Sequence, residues 1–521
     1  MARRRTSRAC QSCKIRRIKC DLQHPSCGQC LRARIRCPGP LKDTDLPPAA
    51  PASSVRRKKP SGLKIDTSAT ATKSSIVESP TVPLHERASC HFVANYCLTP
   101  HPGGMRGFLD FLMPLLKSRR DLPHIRLAFD ACSIASLNNS IDRKPEYESL
   151  ALAHYTKALA ATSAALRNPA IAKDDATLAA VYLLCLFETI TATSVCTIAW
   201  GSHTRGALLL IRARGYEQLQ SKSGLDLFIT SRTQIIIRAL SAGIPPDGGL
   251  EIPRKFYQKE PALYFQELSL QVAKIKAVAT ELLNRPPTAD NIVPLRKIVQ
   301  KCRSLEEEIL EWAKNLPESY SWKTVAWEYR VPRGDYSTAE VYPGRIDLYQ
   351  NIWAASLLNF ARTGRILVTS VMMRCVAFLT WPNDYRTTIE YAAVTKAWAE
   401  EMSSIMASVP YLLGWFVKHR ESRKDLNLSA YGCGEDDATK TLPGFLLIWP
   451  LATLEAHDYT TDAQRAWVRG RLAYIGQHLG VRSATKRIQF TNRAGAISAV
   501  RALPSPERSL EAEDDAEAPS P

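Results

Sequence analysis

The sequence is short of several things. No uninterrupted apolar run has the length of a membrane span. The longest, 177–200, is broken by Glu188 and by several Thr and Ser, so it reads as a buried helix pair. No apolar stretch follows Met1-Ala2-Arg3-Arg4-Arg5, which excludes a secretory leader there and argues for a reducing compartment. There is no H-E-x-x-H, no G-x-S-x-G and no P-loop pattern, so an enzyme has little support. Strand-like alternation is scarce and no β-α-β rhythm appears, which argues against a parallel-sheet fold. Acidic residues are nearly missing from the first 60 positions, which hold 16 Lys or Arg against three Asp.

What is present starts with cysteine. Cys10, Cys13, Cys20, Cys27, Cys30 and Cys37 have the spacing C-x2-C-x6-C-x6-C-x2-C-x6-C, and the second triplet repeats the first with a shift of 17 positions. Disulfides do not explain such a repeat. Thiolates two residues apart chelate a tetrahedral zinc. One ion would leave two of the six over. Two ions have four ligands each if two cysteines bridge.

The blocks between these cysteines are basic: KIRRIK at 14–19 and LRARIR at 31–36. Each is long enough for a short helix begun by its C-x2-C pair. Ile18 and Ile35 are related by the 17-residue shift and are expected to pack together as a small apolar floor. A module this short builds no real core. The metal must then supply the folding free energy, on the order of 10–16 kcal/mol for structural zinc. Six thiolates and two zinc ions sum to minus two, which the neighbouring Lys and Arg partly offset. The surplus positive charge faces outward to a polyanion.

This N-terminus resembles the fungal Zn2Cys6 binuclear cluster DNA-binding domain. The likeness rests on the six cysteines, the basic block after Cys13, the Cys20-Asp21 pair and Pro25 two residues before Cys27. It implies that Cys10 and Cys27 bridge two zinc ions. One ion would be held by Cys10, Cys13, Cys20 and Cys27, and the other by Cys10, Cys27, Cys30 and Cys37. It implies also that Arg16 and Arg17 read a short C/G-rich triplet in the major groove, where this module docks a helix. Arginine suits that task, because it donates two hydrogen bonds to O6 and N7 of guanine. Arg8, Lys14, Lys19, Arg32, Arg34 and Arg36 are expected to meet phosphates, which positions the module and makes binding salt-dependent.

Beyond the cluster, domain boundaries are expected at 1–40 for the zinc module, 41–88 for a linker, 89–502 for a helical domain and 503–521 for an acidic tail. The linker is rich in Pro, Ser, Thr and Ala. Its run Arg56-Arg57-Lys58-Lys59, with Arg3-Arg4-Arg5, is either a nuclear-import signal or extra nonspecific DNA affinity. No heptads follow the cluster, which counts against symmetric dimer binding through a coiled coil while leaving a homodimer open. From Ser505 on, the tail holds six acids against Arg508, with Leu510 the lone bulky apolar residue of that stretch. That composition fits a solubilising tail better than an activation segment.

The 89–502 region reads as all-α. Apolar residues fall at helical spacing in 150–166, Asp174 and Asp175 precede a second run, and 296–316 and 347–380 are further long helical patterns. The other eight cysteines, Cys90 to Cys433, read as buried small apolar residues. His203 reads as a packing or capping histidine. SHTRGALLLIRARG (202–215), WAASLLNFARTGR (353–365), SVPYLLG (408–414) and GFLLIWPL (444–451) resemble the fungal-specific transcription factor domain. Together the two likenesses imply a nuclear, zinc-dependent, sequence-specific regulator of RNA polymerase II genes, controlling a metabolic or secondary-metabolite gene cluster. Double-stranded DNA is the expected partner, then transcription machinery or co-regulators, and no membrane. The alternative is a co-regulator recruited by a DNA-bound partner through the helical domain, which the missing heptads favour.

Overall fold

The computed structural model describes residues 10, 12–13, 18–23, 26–33, 37, 82–100, 107–191, 196–246, 248, 251–257, 260–285, 288–418 and 440–485. The chain divides into two compact units, Met1–Glu78 and Ser79–Pro521.

In the smaller unit the described helix is α1 (Gly28–Arg32). It opens directly after Cys27, whose extended backbone caps it. Five residues do not hold a helix alone in water, because nucleation outweighs the few bonds gained. Tertiary anchoring has to hold it, and the buried side chains at hand are Cys10, Cys13, Cys27 and Cys30. The expected apolar floor is not there on the Ile18 side. Ile18 is exposed, and Ile35 lies outside the described residues. The six sulfurs are themselves the core of this unit, which leaves little for an isoleucine to cover.

The larger unit is helical. Its first half holds α2 (Leu84–Tyr96), α3 (Leu112–Ser118), α4 (Pro123–Leu137), α5 (Pro145–Arg167), α6 (Asp175–Thr191), α7 (Cys196–Arg214) and α8 (Lys222–Ala242). Chain read as linker to residue 88 is thus helical from Leu84. α6 is buried on nearly every face, as its largely apolar sequence requires, and α4, α5 and α7 pack around it. Asp174 starts it, its carboxylate accepting the Ala176 N–H at 2.8 Å.

The second half holds α9 (Pro261–Leu283), α10 (Ala289–Lys314), β1 (Trp322–Glu328), β2 (Gly344–Tyr349), α11 (Ile352–Thr380), α12 (Ile389–Leu412), α13 (Trp415–Lys418), α14 (Thr441–Ala456) and α15 (Asp462–Gln477). α11 is central here, covered by α9, α10, α12 and α14. By length and composition it could cross a membrane, but two thirds of its apolar window is buried inside this unit. Asn351 begins it by accepting the Ala354 N–H at 2.7 Å. Its charges face partners: Arg365 donates to Glu306 of α10 at 3.0 Å and to Glu401 of α12 at 2.8 Å. One cation therefore ties three helices together.

The β1–β2 hairpin corrects the reading of 347–380 as one helical run. Residues up to Tyr349 pair antiparallel with β1, Trp322 facing Tyr349, with an irregularity between Thr324 and Ala326. Thr324 donates to Asp347 at 2.8 Å across the pair. Aromatic and β-branched residues favour this state, but a strand of six or seven residues is too short to announce itself by alternation.

Cys97, Cys132, Cys185, Cys302 and Cys375 are buried, as small apolar residues would be. Cys90 is exposed instead, on the outer face of α2. The side chains of Cys196 and Cys433 lie outside the described residues.

Candidate metal centre and nucleic-acid interface

Two C-x2-C pairs, each on a turn of helix, meet with their thiols inward. Cys10, Cys13, Cys27 and Cys30 are fully buried, and Cys20 and Cys37 close the cluster from its rim. The Sγ atoms of Cys10 and Cys27 are 3.6 Å apart, those of Cys13 and Cys27 3.6 Å, and those of Cys10 and Cys30 3.8 Å. A disulfide needs about 2.05 Å. Four sulfurs on a tetrahedral zinc, each about 2.3 Å from it, stand about 3.8 Å from one another. The spacing of these thiols fits a shared tetrahedral ion and not a covalent bond.

The sulfurs form two overlapping groups of four. One is Cys10, Cys13, Cys20 and Cys27; the other is Cys10, Cys27, Cys30 and Cys37. Within each, the ligand atoms lie within 4.8 Å of one another. Cys10 and Cys27 are common to both.

Electrostatics around the thiols is uneven. Burial, together with the thiols crowded around it, pushes Cys30 up to about 12, and burial pushes Cys10 and Cys13 up as well. Burial also acts to raise Cys20, but the hydrogen bonds it receives from the backbone at Cys10 and Leu22 outweigh it, and its thiol falls below the usual range. Crowded, buried thiols hold their protons in the absence of a cation. A divalent ion reverses that, since its charge stabilises the thiolate it binds.

The backbone supports the arrangement. The Cys27 N–H points at Cys37 Sγ at 3.4 Å. Asp21 accepts the Gly28 N–H at 3.1 Å, satisfying an amide at the start of α1 and closing the loop from Cys20 back to the second C-x2-C pair. A Cβ on Gly28 would come within 2.6 Å of the Asp21 carboxylate and push it aside, so the glycine leaves room for this hydrogen bond. This role of Asp21 is not visible in the spacing of the cysteines. Its sequence signal is an aspartate six residues ahead of the second C-x2-C pair.

Of the basic residues singled out for DNA, Lys19 is described and exposed, and so is Arg32. Arg8, Lys14, Arg16, Arg17, Arg34 and Arg36 lie outside the described residues. The same holds for the Arg56-Arg57-Lys58-Lys59 run and for the acidic tail.

In the larger unit His203 packs where a structural histidine would. Its Nε2 is 3.0 Å from Glu188 Oε1, and the Tyr155 hydroxyl donates to the same carboxylate at 2.6 Å. This trio joins α5, α6 and α7 inside the helical core.

Comparison with known proteins then adds three findings. Residues 8–43 match the family model of the fungal Zn(2)-Cys(6) binuclear cluster domain. Residues 89–241 match that of the fungal specific transcription factor domain. The chain is 21% identical over 412 residues to transcription factor dbaG of Emericella nidulans, across 77% of this chain and 90% of that protein. No solved structure matches significantly.

Proposed function

Because the chain carries both domains of a fungal zinc-cluster transcription factor, a DNA-binding class, we propose that it is a nuclear, sequence-specific regulator of RNA polymerase II genes. It reads a CGG-like triplet and controls a metabolic or secondary-metabolite gene set. Two zinc ions support the reader. Cys10, Cys13, Cys20 and Cys27 hold one, Cys10, Cys27, Cys30 and Cys37 hold the other, and Cys10 and Cys27 bridge. The observation that carries this reading is the pair of four-thiol groups that share two members.

Zinc supplies structure here, not reaction chemistry: it clamps the two C-x2-C turns at a fixed angle. The basic blocks of each triplet then project from a rigid frame. Arg16 and Arg17 contact base edges, each bidentate pair to guanine worth about 1–3 kcal/mol of discrimination. Arg8, Lys14, Lys19 and Arg34 contact phosphates and set the register. Domain limits of 1–40 for the zinc module and 503–521 for the tail complete the proposal, with a linker from 41 that gives way to helix at Leu84 and the helical domain as the regulatory part.

The test is a zinc count on the purified chain, followed by selection of sites from random duplex DNA at physiological salt. Two zincs and an enriched C/G triplet are expected. Two zincs with no enrichment would transfer the specificity to a DNA-bound partner and make this chain a recruited co-regulator.

A further inference from the structure

A cleft in the larger unit is lined by two cations and no carboxylate. It lies between the C-terminal half of α9 and the last third of α11, with Lys276, Thr280 and Asn284 on one side and Arg374 on the other, over an apolar floor. The enclosed part is about 20 Å³, room for about one oxygen-sized group, and the rest of the cleft opens to solvent. An occupant must be small.

Lys276 is only 2% exposed. Its Nζ donates to the carbonyl of Leu240, in the last turn of α8, at 2.5 Å. An ammonium carries three donors, so this bond uses one. Burial holds the Lys276 pKa down to about 8, and the charge of Arg374 acts in the same direction. The Nε of Arg374 is buried and has no hydrogen-bond partner. Burial depresses the guanidinium too, with Asp458 the acid that opposes it. Among the described residues no carboxylate makes an ion pair with Arg374 or with Lys276.

Two neighbouring buried cations with no carboxylate in direct contact, Asp458 acting on Arg374 only from a distance, are costly, and an unpaired buried donor adds to the cost. An oxyanion meets all three needs. It offsets both charges, accepts from Arg374 Nε and takes the remaining Lys276 donors. Asn284, exposed at the mouth, adds an amide donor.

We propose that this cleft binds a small oxyanion, the carboxylate or phosphate group of a metabolite, between Lys276 and Arg374. The bound group joins α9 to α11 and, through Lys276, to the end of α8. The larger unit thereby becomes ligand-responsive, whatever DNA sequence the smaller unit reads.

The experiment uses the full zinc-loaded chain. Inorganic phosphate and malonate are titrated at constant ionic strength, with chloride as the control, by calorimetry and by thermal unfolding. Saturable binding of at least one probe is expected, with a matching rise in Tm that chloride does not give. Which probe binds tells phosphate from carboxylate. Arg374→Gln should weaken binding about tenfold or more, the usual loss for a charge-assisted contact. Asn284→Asp, at the exposed mouth, should weaken it as well by placing a carboxylate beside the ligand, with unfolding midpoints of the ligand-free variant read alongside to separate any cost to the C-terminus of α9. No saturation by either probe overturns the proposal. So does saturation that neither variant changes, since the anion would then sit elsewhere, as on the basic N-terminal unit.

Discussion

Single side chains decide the metal chemistry. Cys10 and Cys27 belong to both four-thiol groups, whereas Cys13 belongs to one. Cys10→Ser or Cys27→Ser should therefore remove both zincs and unfold the smaller unit, since the metal provides its folding free energy. Cys13→Ser should leave the second group intact. Metal analysis of the three variants checks this, and two zincs in the Cys27→Ser protein would end the bridging assignment. The arginines divide in the same residue-by-residue way. Arg17→Ala should relax base preference, while Arg34→Ala should weaken all sequences alike and reduce the salt slope by about one. Binding isotherms on matched and mismatched duplexes at several salt concentrations separate the two. Identical behaviour would refute the division into base and phosphate contacts.

At the level of elements, the helices of the second half are held in register by buried charge as well as by apolar packing. Arg365 sits between Glu306 and Glu401, and all three side chains are mostly buried. Removing the cation leaves two carboxylates close together, offset only in part by Arg362, 3.9 Å from Glu401. Arg365→Met should then cost about 2 kcal/mol, less than a fully buried pair because some solvent reaches each group. A urea midpoint for the helical unit measures it. An unchanged midpoint would mean that the ion pairs are replaced by water without loss. The capping residues tell a simpler story. Asp174 and Asn351 precede apolar helical runs in the sequence and cap them in the fold. The hairpin was harder to see, because β1 and β2 are stabilised by pairing with each other across 15 intervening residues and not by any local pattern.

For the molecule as a whole, acid stability follows from two half-buried histidines. Burial, then the charge of Lys440, lowers His91 to about 4. Burial, then Arg374 and Arg465, lowers His457 to about 3. The unfolded chain takes up these protons near pH 6.5, whereas the folded chain does not until pH 4 or below. The unfolded state thus binds more protons in that window, and stability falls as pH drops from about 6.5 towards 4. Chemical unfolding of the helical unit at pH 7 and pH 5 should show the loss, and the His457→Gln variant should show less of it. Equal midpoints at the two pH values would count against neutral histidines in the folded state.

The zinc-binding character of the N-terminus was legible in sequence because C-x2-C chelation is a local property: two thiols two residues apart reach one ion whatever the rest of the chain does. The helical class was legible for the same reason, since a 3.6-residue period is written into consecutive residues such as those of α5 and α6. Contacts between distant residues left no such trace. Glu188 gathers Tyr155 and His203, Arg365 bridges Glu306 and Glu401, and Lys276 comes to lie beside Arg374, almost a hundred positions away. Each of these pairings is a long-range choice made when helices pack, because packing selects partners by shape and charge in three dimensions. The residue types were there to be read, and only the tertiary structure decided which of them would meet.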